Sequence, residues 1–357
     1  RCGFRDFRII GGFFYLNGKR IFMKSAHTGN HMPIGLHIPV EPDHMRRDII
    51  NAKASGFNTM RFIAGAAHPD QLDFCDEIGM LVVEESFASW LLGGAQAGYN
   101  YGPQSPVEPD PKVLKERFEH SYSQVIKRDR NHPCVVVWQL LNETGSGMVF
   151  DIAREYLPKL RELDPTRLVL LNSGRFDHRF NVGSASNPGG CEWEHVWGAE
   201  SPDAPDETEG RSYPSRIGAG DFHFYPVAPQ HPEADALIRS LGQGTKPVFL
   251  SEYGIGSLYD VLGELRHYEQ VGAREDLEDV AWLKEVSDAL RADWKRLGLD
   301  SVYPFPEDML RESQRLNARQ RTKGFNLIRS NPNLCGFNAT GMLDHAMCGE
   351  GLWKFWR

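Results

Sequence analysis

Two apolar runs in this chain each close on a glutamate: Cys134–Glu143, reading CVVVWQLLNE, and Pro247–Glu252, reading PVFLSE. An ionisable side chain at the exit of a buried strand sits where a fold opens to solvent, and two on separate strands can face each other. Carboxyl groups about 5–5.5 Å apart on either side of a glycosidic bond can break it, one attacking the anomeric carbon while the other protonates the leaving oxygen. Each glutamate alone reads equally well as a solvated strand-end carboxylate. Their occurrence on two independent strands favours chemistry.

The elements that would position them alternate along the chain. Phe4–Phe22 carries Gly11-Gly12 and Asn17-Gly18, dipeptides that favour tight hairpin turns because both central positions tolerate positive φ. This predicts a small antiparallel ribbon over residues 1–20 leading into the first long strand. Strands are expected at Ile21–Ala26, Phe57–Phe62, Met80–Glu84, Cys134–Glu143, Arg167–Asn172, Asp221–Tyr225, Pro247–Ser251 and Leu334–Thr340. Between them, His44–Ser55 places Met45, Ile49 and Ala52 at helical spacing, and Pro69 opens a stripe of Leu72, Cys75 and Ile78 that Gly79 closes. Lys112–Arg130 and Val149–Leu163 read as further helices, the latter with Ile152, Tyr156, Leu160 and Leu163 aligned. Eight apolar, largely non-alternating strands interleaved with helices imply a parallel α/β sheet covered on both faces, closed as a (β/α)8 TIM barrel. Long loops are expected at Ser86–Pro111, Ser173–Gly220 and from Tyr253 to about Glu278, on the face that carries active sites in such barrels.

Composition narrows the partners. The net charge of −8 argues against nucleic acid, and no uninterrupted apolar stretch approaches the roughly 18 residues of a membrane span. Six cysteines without a CxxC pair give no disulfide scaffold, and Cys75, Cys134 and Cys335 read as buried thiols. No GxGxxG follows a strand, which weakens a dinucleotide-binding alternative. His27, His31 and His37 invite a metal reading, but Gly29 and Pro33 interrupt any helix that would align them, so no metal and no cofactor is expected. A homo-oligomer is compatible with the sequence, which leaves the oligomeric state and the compartment open.

The segments NHPCVVVWQLLNE and KPVFLSEYG resemble the acid/base and nucleophile segments of glycoside hydrolase family 2, the β-galactosidase, β-glucuronidase and β-mannosidase group. GFRDFRIIGGFFYLNGKRIFMK, GFNTMRF, HPDQLDFCDEIGMLVVEE and DFHFYP extend the resemblance over residues 3–254. The resemblance implies a retaining exo-glycosidase acting on a terminal β-linked sugar of a glycoside or oligosaccharide, with β-galactosidase the leading expectation. β-Glucuronidase, β-mannosidase and a non-catalytic carbohydrate-binding barrel are its rivals, and a binder needs no nucleophile. By the same resemblance Glu143 is the general acid/base, Glu252 the nucleophile and Asn142 a partner of the sugar 2-hydroxyl. Arg61, His223 and Tyr253 would orient or tune Glu252. Tyr225 lines the site with His223, and Glu85 is a further sugar or site-shaping contact. His68 matches the family's His-Pro pair, although it reads equally as a helix-start residue. Trp193 and Trp197 could wall the sugar or pack their own loop.

Departures from the family pattern fall around the sugar. Ser25–His31 stands where an Asn-Arg-His stretch is usual, CGFNATGMLDH lacks the tryptophan that commonly ends strand eight, and the Asn-x-Lys feature of glucuronidases is absent. The family's barrel normally follows a jelly-roll domain and an immunoglobulin-like sandwich. The chain is therefore read as either an excerpt or an unusually reduced member, with residues 21–357 as its catalytic domain.

Overall fold

The computed structural model describes residues 3–28, 32–35, 38–39, 41, 43–63, 65–86, 110–144, 148–174, 221–241, 247–254, 256–344 and 348–357. The ribbon forms as the turn dipeptides require. Strands β1 (Phe7–Ile10), β2 (Phe13–Leu16) and β3 (Lys19–Arg20) run antiparallel, and Gly11, Gly12, Asn17 and Gly18 all take positive φ.

Eight strands follow: β4 (Met23–Thr28), β5 (Thr59–Phe62), β6 (Leu81–Glu85), β7 (Val135–Asn142), β8 (Leu168–Ser173), β9 (Asp221–Phe224), β10 (Val248–Tyr253) and β11 (Leu334–Ala339). They form one sheet in the order β8-β7-β6-β5-β4-β11-β10-β9, and each bonded pair is parallel. Pairing of the last strand with the first curls the sheet into a barrel. Between β8 and β9 no main-chain pairing is found among the described residues. Side chains join them instead: Ser173 Oγ and His223 Nε2 share a hydrogen bond of 2.9 Å, and the Gly174 amide donates to Asp221 Oδ2 at 2.5 Å.

The helices are α1 (His44–Ala54), α2 (Pro69–Ile78), α3 (Pro111–Asp129), α4 (Met148–Leu163), α5 (Pro232–Ser240), α6 (Val261–Gln270), α7 (Glu278–Arg296) and α8 (Pro306–Ser330). Strand alternation sends Met60 and Phe62 outward, where they join Leu72, Trp138, Tyr156 and Leu160 in the layer between strands and helices. A second apolar group closes the N-terminal end of the barrel. Phe14 of the ribbon stands edge-on to Phe249 of β10 at 6.3 Å, with Phe7, Met23, Val83 and Val136 around it, and the Cys335 thiol donates to the Gly12 carbonyl at 3.3 Å. Burial of each such phenylalanine contributes roughly 1.5–3 kcal/mol.

One expected loop is partly helical. The stretch after Tyr253 contains α6, which Asp260 caps by accepting from the Gly263 amide. Its Leu262, Leu265 and Tyr268 bury against Val280 and Leu283 of α7, a spacing of three that a loop reading overlooks. The other two long stretches lie outside the described residues apart from their ends, and Trp193 and Trp197 go with them. Cys75, Cys134 and Cys335 are buried free thiols. No described helix is long and apolar enough to cross a membrane.

Candidate active site

Arg61 is the organising residue. It is the one charged side chain of β5, it turns inward between two outward apolar neighbours, and it is only 1% exposed. Its Nη1 donates to Glu252 Oε1 at 2.9 Å and to the Ser251 carbonyl at 2.9 Å. Its Nη2 donates to Glu85 Oε2 at 2.8 Å and to Asn142 Oδ1 at 2.6 Å. A planar guanidinium thus ties together the ends of β6, β7 and β10, a fork geometry that an ammonium could not reproduce. The same Glu85 oxygen also accepts from Gln139 Nε2 at 2.8 Å.

Register places the remaining groups at the same height. Glu252 pairs with His223 across β10 and β9, and His27 pairs with Arg61 across β4 and β5. His223 Nδ1 lies 2.5 Å from Glu143 Oε1 and 3.3 Å from Glu252 Oε2, so one imidazole bridges both glutamates. Tyr225 donates its hydroxyl to Glu252 Oε2. One oxygen of Glu143 and one of Glu252 lie within 4.8 Å of each other.

The local backbone is built for this convergence. Glu143 has φ 47, in the left-handed region, which costs roughly 1–2 kcal/mol for a residue with a Cβ. Its amide donates to the Ser173 carbonyl at 2.7 Å. The next residue is clamped by Asn172, whose side chain accepts from the Thr144 amide at 3.2 Å and donates to the Thr144 carbonyl at 2.7 Å. Gly174, at φ 60, must be glycine because a Cβ there would stand 2.1 Å from the His223 ring. Gly254 likewise lets the chain leave β10 against Thr340 and Tyr225, since a Cβ would come within 2.7 Å of the Thr340 carbonyl oxygen.

Environment drives the two carboxyls apart. Burial alone would raise Glu252, but the charges of His223 and Arg61 and the Tyr225 hydroxyl outweigh it and bring the pKa down to about 2. Glu143 is raised, first by burial and then by the Glu252 charge, against the opposing pull of His223. His223 is itself raised. Burial opposes its charge, but the two carboxylates prevail, so the Glu143–His223 pair keeps its shared proton to a higher pH than either group would alone. Divergent pKa values in adjacent carboxyls are the pattern that assigns one as an acid and the other as an anion.

Glu143, His223 and Glu252 also present one atom each at metal-ligand spacing, but Arg61 already supplies the positive charge beside Glu252. Asp76, His132 and Cys134 form a second such group. There both Asp76 oxygens are engaged, one by the Cys134 amide and one by His132 Nδ1, each at 2.8 Å, which fastens α2 to the start of β7. His31 and His37 lie outside the described residues, and His27 Nδ1 accepts from Asn338 Nδ2 at 3.3 Å inside the barrel.

Of the residues expected from sequence, Glu143, Glu252, Asn142, Arg61, His223, Tyr225 and Glu85 are brought together, and two are not. Tyr253 faces away. As the strand neighbour of Glu252 it must point to the opposite side of the sheet, and its hydroxyl donates to Gln230 at 3.0 Å among Phe224 and Phe325. His68 is the N-cap of α2. Its ring accepts from the Asp70 amide at 3.3 Å, and Gln71 returns the bond to the His68 amide at 2.9 Å. Sequence reasoning missed Gln139, Ser173 and Asp221. The last two were within reach, because Asp221 is two residues before His223 and Ser173 ends the neighbouring strand.

The profile of "Glycosyl hydrolases family 2, TIM barrel domain" matches residues 7–315. A β-galactosidase of Pectobacterium atrosepticum is 32% identical over 177 residues, covering 50% of this chain and 16% of that protein. The crystal structure of Ruminococcus gnavus β-glucuronidase superposes over 100% of this chain and 51% of its own with TM-score 0.62 at 16% identity. An Eisenbergiella tayi GH2 β-galacturonidase bound to galacturonate covers 100% and 52% with TM-score 0.61 at 17% identity. At those identities the two structures speak for the fold, and this chain spans about half the length of each. The match over most of the chain, on a barrel whose fourth and seventh strands end in the paired glutamates, establishes that it belongs to glycosyl hydrolases family 2.

Proposed function

We propose that the chain is the catalytic barrel of a retaining exo-acting β-glycosidase that works by double displacement. The observation that carries this reading is the approach of Glu143 and Glu252 to within 4.8 Å, too close to admit a water between acid and base as an inverting mechanism needs. In the first step an ionised Glu252 oxygen bonds to the anomeric carbon. The bond from that carbon to the leaving oxygen breaks, and the leaving oxygen takes the proton of Glu143. The ester that forms carries no charge, so the repulsion that helps keep Glu143 protonated disappears. Glu143 then removes a proton from water, the water oxygen attacks the anomeric carbon, and Glu252 departs as carboxylate. Arg61 and Tyr225 hold Glu252 in place, and Asn142, which accepts from Arg61, is the partner proposed for the sugar 2-hydroxyl.

A β-galactoside is the leading substrate, supported by the β-galactosidase that is 32% identical over half of this chain. β-Glucuronides and β-mannosides are the alternatives within the family. The test is inactivation by activated 2-fluoro glycosides followed by peptide mass spectrometry. An ester on Glu252 is expected, and label on any other residue contradicts the assignment. In addition, Glu143→Ala should depress hydrolysis of glycosides with poor leaving groups about 10²–10⁴-fold while sparing activated aryl glycosides. Equal losses on both would remove the acid role.

A further inference from the structure

We propose that Glu350, set beside His27 on the far side of the barrel mouth, is a specificity-determining carboxylate that favours neutral hexosides over uronides. The inference rests on the hydrolase reading above and deepens it by naming the substrate class.

Glu350 follows β11, the fourth strand round the sheet from β7, so it stands across the mouth from Glu143. Its position is fixed through the main chain. The Gly341 amide donates to the Glu350 carbonyl at 3.1 Å, and Arg321 Nη2 of α8 donates to the same oxygen. From that backbone the side chain brings Oε1 within 4.0 Å of His27 Nε2, and 17% of it remains exposed. His27 stands in register with Arg61 across β4 and β5, so Glu350 reaches the polar end of the barrel that holds Glu252.

A sugar bonded through its anomeric carbon to Glu252, with its leaving group toward Glu143, extends its ring toward His27 and Glu350. A carboxylate there accepts hydrogen bonds from ring hydroxyls. It repels a sugar that carries its own carboxylate, because two anions a few ångströms apart in a low-dielectric cavity interact strongly. Arg61 is spread over Glu252, Glu85 and Asn142 and does not serve a third anion.

Burial, then the Glu252 charge, push Glu350 up to about 7, against the pull of Arg321. The groups that face it are Glu252 from β10, His27 from β4, Arg321 from α8, and Asp344 and Cys348 from its own segment. Discrimination should therefore strengthen as pH rises through about 7, where the carboxyl ionises.

The test is calorimetric binding of a neutral hexono-lactam and of its glucaro-lactam counterpart to the wild type and to Glu350→Gln, which needs no turnover. At pH 8 the wild type should prefer the neutral lactam about tenfold or more. Glu350→Gln should shrink that ratio about tenfold, and the wild-type ratio should itself fall toward one at pH 5.5. A ratio unchanged by both the substitution and pH, a wild type that prefers the glucaro-lactam, or binding of neither lactam overturns the proposal. Where Glu350→Gln does not fold, Glu350→Ala removes the same carboxylate and should shrink the pH 8 ratio in the same way, and a ratio that it leaves unchanged overturns the proposal. Failure of the hydrolase reading shows separately, as the absence of a glycosyl ester on Glu252.

Discussion

The two ends of this barrel are made from the same strands and could hardly differ more. On β10, Phe249 near the start packs against the ribbon, while Glu252 near the end meets Arg61. On β4, Met23 lies in the apolar group and His27 in the polar one, and on β6 the same holds for Val83 and Glu85. Height along a strand is position in sequence, so each strand carries its own division of labour. The lower end supplies apolar burial. The upper end assembles buried charges whose desolvation is costly and which persist because each is paired. Stability and chemistry are thus separable by position, as is general for such barrels.

Four substitutions test that separation. The largest effect belongs to Glu252→Gln, which should cut kcat about 10⁴-fold or more while leaving the thermal midpoint little changed. Retained turnover would place the nucleophile elsewhere. Arg61→Met should strike both properties, since it leaves Glu252 and Glu85 buried without their cation, at about 3–5 kcal/mol by chemical denaturation. In the folded fraction the acid limb of kcat/KM should move upward. Glu252 must be ionised to attack, it ionises at about 2 with Arg61 present, and losing a neighbouring positive charge raises a carboxyl by roughly one to three units. An unmoved limb would mean that Arg61 does not tune the nucleophile.

Phe14→Ala should lower stability by about 3 kcal/mol and leave the kcat of the folded protein and its pH profile intact. A shifted profile would show that the two ends are coupled. The smallest effect is expected of His68→Ala, about 1 kcal/mol of stability from a lost helix cap and no change in kcat/KM. A fall in kcat/KM would restore His68 to the site.

Much of this was legible before any coordinates. Apolar runs bounded by glycine and proline marked the eight strands, and the occurrence of a closing glutamate on two separate runs, with Arg61 alone inside another, singled out the groups that converge. Tyr225 and Tyr253 show what a closer reading would have yielded. Tyr253 is the immediate neighbour of Glu252, and strand alternation alone forbids it from sharing that face. His68 also carried its structural signature, since His-Pro-Asp-Gln is a helix start with a reciprocal cap. Glu350 carried none. It lies in a segment without helical or strand periodicity, and only the tertiary course of the chain after β11 brings it to the mouth.

The joint between β8 and β9 has a consequence for anyone reshaping the pocket. Main-chain ladders are indifferent to which amino acids they join, whereas among the described residues this stave of the barrel is fastened by Ser173, Asp221 and His223. Point changes at the first two can therefore loosen or tighten the circumference beside Glu143 and Glu252, a handle for engineering that a fully laced wall does not offer.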